Sequence, residues 1–274
     1  MKIVYFSHRG KTPNVGILEE DTIIATPWLG TMITLMESGI TPGRTSQRYP
    51  RSECKLLAPL RPGKILCIGR NYAAHAAETG SAVPEKPLIF AKFASGVIGE
   101  GAAITWKESI TTQVDWEGEL AVVIGKRGKD LTAEAAPNYI FGYTIANDVS
   151  ARDLQDSESQ WARAKGMDTF CPLGPYIVAR SEIADPQALS VKTLVNGEVM
   201  QDGNTRDMIH GVYDLVAYCS QTFTLDPGDV ILTGTPAGVG KGMKPPKYLK
   251  DGDTVSVEIE NIGTLTNVCK VIAE

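Results

Sequence analysis

Cysteine is scarce in this sequence and widely scattered. The 274 residues hold five, Cys54, Cys67, Cys171, Cys219 and Cys269, with no CxxC pair among them. That spacing argues against a zinc ribbon or finger, and an odd set of scattered thiols fits reduced, mostly buried side chains in a cytoplasmic protein. Long apolar runs are also missing: nothing approaches the roughly 18 residues that a membrane-spanning helix needs. The opening stretch MKIVYFSHRGK has no apolar core of the kind a signal peptide carries. Positive charge is not in excess either. The formal net charge is -5, which speaks against a nucleic-acid surface but leaves room for a local basic pocket that takes a small anion. No G-x-G-x-x-G follows a strand, and Gly234-Thr-Pro-Ala-Gly-Val-Gly240 lacks the GK[ST] ending of a phosphate loop.

What is present suits an ordinary globular protein, with 43% hydrophobic and 22% charged residues. No internal repeat or low-complexity segment occurs. Residues 1–60 read as a small β-rich N-terminal domain, with strands over Lys2 to Phe6 and Val15 to Ala25. A helix is expected from Trp28 to Met36, with Leu29, Met32 and Met36 inward. Ala58-Pro-Leu-Arg-Pro-Gly63 marks the join to a second domain, residues 61–274. There, strands are expected at Lys64–Ile68, Leu88–Lys92, Val114–Ile124, Tyr143–Asn147, Tyr176–Ala179, Val230–Thr233 and Thr254–Ile259. Asn196-Gly197, between expected strands at Val191–Val195 and Glu198–Gln201, signals a two-residue hairpin. One helix should start at an Asp207 cap and carry Ile209, Val212, Val216 and Cys219 on its inner face. Strands without regular helical alternation argue against a doubly wound sheet, so the fold class is mostly β (α+β).

Several polar residues need a reason. In VDWEGELAVVIG, Asp115, Glu117 and Glu119 fall at alternate positions and would share one face of a strand, opposite Trp116, Leu120, Val122 and Ile124. Like charges so placed repel. Exposure to water would relieve them, and so would a hard dication taking oxygen ligands. Asp148 ends the run YTIAND and is equally suited to cap a helix or to bind such an ion. In IGRNYAAHAAE, His75 and Glu78 stand three apart, so one helical turn brings them together. That pair is either a surface helix end or a general base oriented by a carboxylate. Lys165 and Thr235 sit in glycine-rich, loop-like surroundings.

Taken in order, GRNYAAHAAETG, KPLIFAKFAS, VDWEGELAVVIGK, GYTIANDVSARDLQ, AKGMDTFCPLGPYIV, VNGEVMQDGNT and GDVILTGTPAGVG resemble the fumarylacetoacetate hydrolase family over roughly residues 62–272. The nearest likeness is to its compact acylpyruvase and oxaloacetate decarboxylase-type members. The resemblance implies a mixed β-sandwich roll, usually a homodimer, acting on a small anionic 2-oxo acid. It implies Glu117, Glu119 and Asp148 as ligands of Mg²⁺ or Mn²⁺, and His75 with Glu78 as the water-activating pair. Lys165 would stabilise developing negative charge. Arg152, Gln155 and Thr235 would contact substrate, and Arg70 and Tyr72 would line its pocket. Asp115 is not among the implied ligands, and exposure at the strand end is expected for it. The implied reaction is C–C bond hydrolysis of a 2,4-dioxo acid through a pyruvate enolate. Oxaloacetate decarboxylation, or isomerisation or hydration of an unsaturated 2-oxo diacid, are the alternatives. An inactive binding protein of the same fold would be missing a ligand or a member of the His–Glu pair, and neither is missing.

Overall fold

Short apolar segments separated by turns give a mostly β chain. The structure, a computed structural model, describes residues 1–273. The largest sheet runs in the order Arg48–Pro50, Thr22–Ala25, Asn14–Glu19, Lys2–His8, Cys171–Ala179, Ile140–Asn147, Gly118–Ile124, Val230–Leu232, Ile65–Gly69 and Leu88–Lys92. Most neighbours are antiparallel, but Val230–Leu232 lies parallel to Ile65–Gly69. A second sheet is built from Glu198–Asn204, Ser190–Val195, Thr254–Ile259, Gly263–Val271 and Ala103–Trp106. Asn196 and Gly197 turn its hairpin with φ of 52° and 81°, the left-handed pair such a two-residue loop demands.

The central strands are buried on both faces, which explains why Leu120-Ala-Val-Val-Ile124 reads as a continuous apolar run. One face, with Leu120, Val122, Tyr143 and Ile145, packs on Val191, Val257 and Ile259 of the second sheet and on helix α5, Val212–Thr222. The other, with Ala121, Val123, Cys171 and Ile177, packs on helix α1, Met32–Ser38. Three further short helices, α2 (Ala73–Glu78), α3 (Arg152–Ser157) and α4 (Ala162–Lys165), gather at one end of the large sheet. Among the described residues no helix is long and apolar enough to cross a membrane. All five cysteines are free and buried.

The structure corrects several local expectations. Helix α1 starts later than Trp28, because the Thr31 hydroxyl accepts the Thr34 amide and caps it, and Leu29 is left 94% exposed. Helix α5 begins after Gly211 rather than at Asp207, which lies in a 3₁₀ turn; Ile209, ahead of the helix, is 37% exposed. The strand over Val114–Ile124 is broken: Val114–Asp115 pairs with Ser150–Ala151, and Gly118–Ile124 starts afresh in the large sheet. Trp116 accordingly packs with Val114, Val149 and Phe170, apart from the cluster that holds Leu120 and Val122.

Candidate active site

Four strand ends converge at one end of the large sheet. Gly118 pairs with Asn147, Ala121 with Leu232, and Leu232 with Cys67. The segments leaving those ends carry Glu117 and Glu119, Asp148, Thr235, and Arg70 with helix α2. Glu117 lies at the break between Val114–Asp115 and Gly118–Ile124, and both it and Glu119 are buried.

The result is a buried electrolyte. The carboxyl oxygens of Glu117, Glu119 and Asp148 lie within 4.8 Å of one another. Lys165, at the end of α4 rather than in a loop, places its Nζ 2.8 Å from Glu117 Oε2 and 2.9 Å from Asp148 Oδ2. Arg152 reaches Glu117 Oε1 with Nη2 at 2.7 Å and donates from Nη1 to Gln155 at 2.9 Å. The Gly234 amide donates to Glu119 at 2.7 Å. Burial alone would push the Glu117 carboxyl up, but Lys165 and Arg152 outweigh it and hold the group well below the usual carboxylate range. Glu119 behaves in the opposite way: burial, then the charges of Asp148 and Glu117, push its carboxyl well up. Lys165 is lowered by burial and raised more by Asp148 and Glu117, so it stays an ammonium.

Two charged residues had no expected part here. Lys92, ending the apolar strand Leu88–Lys92, points its Nζ at Asp148 Oδ1 (2.6 Å) and the Val149 carbonyl (3.1 Å). Its only sequence signal is a lone cation on an apolar strand. Asp115 is not exposed at a strand end but fully buried, with Arg152 Nε donating to it at 2.8 Å. Four buried carboxylates, Asp115, Glu117, Glu119 and Asp148, thus face three buried cations, Lys92, Arg152 and Lys165. A close set of hard oxygen donors, with negative charge left over, fits Mg²⁺ or Mn²⁺.

Helix α2 places His75 Nδ1 2.9 Å from Glu78 Oε1, and His75 is buried rather than a surface helix end. Glu78 Oε2 also accepts the Gly238 amide at 2.8 Å. A pocket of about 120 Å³ is lined by Arg70, His75, Glu117, Glu119, Arg152, Gln155, Lys165 and Thr235. Thr235 donates its hydroxyl to the Gly118 carbonyl at 2.9 Å and accepts from Gln201 at 2.7 Å. The Arg70 guanidinium stands over the Trp161 ring, 5.6 Å from its centre, and Trp161 meets Phe90 edge to face. Tyr72 is not on the pocket wall: it is buried in the core beside Leu66 and Ile68. Asp148 and Glu78 lie behind the wall, touching it through Lys165 and His75.

This sheet and this carboxylate cluster define a family. Residues 64–270 match the family described as fumarylacetoacetate (FAA) hydrolase C-terminal, and the chain belongs to the fumarylacetoacetate hydrolase family. It is 49% identical over 223 residues to the oxaloacetate tautomerase YisK of Bacillus subtilis (strain 168), covering 80% of this chain and 74% of that one. Its fold matches the fumarylacetoacetate hydrolase of psychrophilic Exiguobacterium antarcticum with a TM-score of 0.91 at 40% identity, over 99% of this chain and 100% of that chain. It also matches a 5-carboxymethyl-2-hydroxymuconate delta-isomerase from Mycobacterium smegmatis, with a TM-score of 0.85 at 39% identity over 99% and 100% of the two chains.

Proposed function

We propose that the protein is an enzyme that moves a proton on a small 2-oxo dicarboxylic acid of the oxaloacetate class, interconverting its keto and enol forms. The observation that carries this reading is that His75, backed by Glu78, faces a pocket of about 120 Å³ whose wall also carries Glu117 and Glu119. Such a volume suits a short acid and is below that of drug-sized sites. The name of the Bacillus relative and the isomerase among the structural neighbours support proton transfer as the reaction.

Glu117, Glu119 and Asp148 would hold Mg²⁺ or Mn²⁺. What the ion supplies when bound is Lewis acidity toward the 2-oxo oxygen. The residues of the chain do the rest. Glu78 accepts the Nδ1–H of His75, which fixes the tautomer and leaves Nε2 with the lone pair of a general base. His75 would take the proton from the carbon next to the 2-oxo group and return it to the enolate oxygen, a balanced transfer that needs no water. Lys165 would offer its ammonium to the negative charge developing on that oxygen. Arg70 has no carboxylate partner among the described residues, only the face of Trp161, so its guanidinium would receive the distal carboxylate.

The test follows enol loss from oxaloacetate by ultraviolet absorbance with metal-stripped protein. Added Mg²⁺ or Mn²⁺ should accelerate it, a chelator should abolish the acceleration, and His75→Asn should lower kcat by about 10²-fold or more. Hydrolysis of a 2,4-dioxo acid is the second reading, because the same His–Glu pair could activate water. Pyruvate release from acetylpyruvate without any effect on enol loss would put hydrolysis first. Pyruvate release from oxaloacetate alone would make the protein a decarboxylase.

A further inference from the structure

The glycine-rich segment from Gly234 to Gly242 has no phosphate-loop ending, and it lines the pocket through Thr235 and Lys241. Its second part makes an unusual set of bonds. Four consecutive amides face two carboxylates. Gly238 N donates to Glu78 Oε2 at 2.8 Å, and Val239 N lies 3.5 Å from Glu78 Oε1. Gly240 N donates to Asp115 Oδ1 at 2.7 Å and Lys241 N to Asp115 Oδ2 at 3.0 Å. The glycines make this approach possible. Gly238 sits at φ 107°, a Cβ on Gly240 would overlap the Lys247 carbonyl oxygen, and a Cβ on Gly242 would come 2.7 Å from a Glu78 carboxyl oxygen.

Each carboxylate governs a different half of the site. Glu78 orients His75. Asp115 receives Arg152 Nε at 2.8 Å, and the same guanidinium reaches Glu117 and Gln155. The two pairs of amides are adjacent in the chain, so no intervening residue can absorb a displacement of one pair before it reaches the other. Asp115 is therefore more than a counter-ion: its two oxygens join Arg152 to the loop that seats Glu78.

We propose that Asp115 is a positioning residue that, through Arg152 and the amides of residues 238–241, couples the setting of the His75–Glu78 pair to that of the Glu117 carboxylate. It touches neither the pocket nor the carboxylate trio and acts only through these neighbours. The effects on turnover and on metal affinity rest on the proposed function; the effect on loop exchange does not.

Two variants, Asp115→Asn and Glu78→Gln, test it from opposite ends of the loop. Amide hydrogen exchange at residue resolution is compared with wild type in metal-free protein, and Mn²⁺ affinity is measured by calorimetry. D115N should speed exchange at least tenfold at all four amides, including Gly238 and Val239, which Asp115 does not touch. It should also weaken Mn²⁺ binding at least fivefold, because Arg152 is then balanced by Glu117 alone. E78Q should speed exchange at Gly240 and Lys241, which Glu78 does not touch. With oxaloacetate, D115N should lower kcat at least tenfold while KM stays within threefold. Exchange changes that stop at each variant's own pair of amides would overturn the coupling, as would unchanged Mn²⁺ affinity in D115N. Should D115N fail to fold, exchange in E78Q decides alone. A wild-type protein silent toward oxaloacetate would sink the proposed function and leave the exchange readings intact.

Discussion

Lys92, outside the pocket wall, forms one of the most deeply buried ion pairs of the cluster. Its ammonium and the Asp148 carboxylate are each 1% exposed and lie 2.6 Å apart. Breaking a buried pair by removing one partner costs about 3–5 kcal/mol, because the other charge stays behind uncompensated. Lys92→Met should therefore lower the melting temperature by roughly 10 °C in a chain of this size, as read by scanning calorimetry of the metal-free protein. A drop of less than about 3 °C would mean that Lys165 alone can balance Asp148. Residue identity hid this pairing from the sequence. Lys92 and Asp148 are 56 positions apart, and neither periodicity nor spacing reports a contact over that range. The same is true of Asp115, whose expected exposure followed from its place at a strand end. The 37-residue reach to Arg152 reversed it.

At the scale of elements, the parallel pairing of Ile65–Gly69 with Val230–Leu232 is stitched by ion pairs at its entrance. Lys64 Nζ lies 2.9 Å from Asp226 and 2.7 Å from Asp229. The hydrogen bond from Lys64 is the main cause that holds the Asp226 carboxyl below its ordinary value of 3.8. A carboxyl depressed by folding contributes stability above its unfolded pKa and loses it as the pH falls through the folded pKa. Asp226 is 38% exposed, so solvent screening limits its contribution to about 1 kcal/mol or less. Asp226→Asn should be the less stable protein in urea at pH 7, and the gap should close as the pH is lowered through and beyond that depressed value. A gap that persists in strong acid would assign the effect to packing. Elements with a local cause were readable in advance. The Asn196-Gly197 hairpin is fixed by two left-handed residues, and the i, i+3 spacing of His75 and Glu78 by one helical turn. Elements bounded by tertiary choices were not. The break at Trp116 exists because Val114–Asp115 finds a partner in Ser150–Ala151, and the late start of α5 comes with Tyr72 bridging Met208 just ahead of it.

Across the whole molecule, the N-terminal strands are stitched to the same sheet that carries the site, since Lys2 and Ile3 pair with Val178 and Ile177. We propose that residues 1–60 act as an edge cover as well as a sequence unit of their own. Deleting them would bare a strand containing the buried Leu173 and Ile177, and an exposed apolar edge invites pairing between molecules. The deletion should shift the protein into soluble aggregates on light scattering; a monodisperse, active product would show that the segment is dispensable. The strap of amides from Gly238 to Lys241 has one more consequence, for synthesis. It lies 160 residues from Glu78 and 125 from Asp115 along the chain. A nascent chain halted before that strap would already own every acidic residue of the cluster, yet lack the donors that seat Glu78 and Asp115. The order of the chain therefore delays the seating of both carboxylates until residues 238–241 have been made.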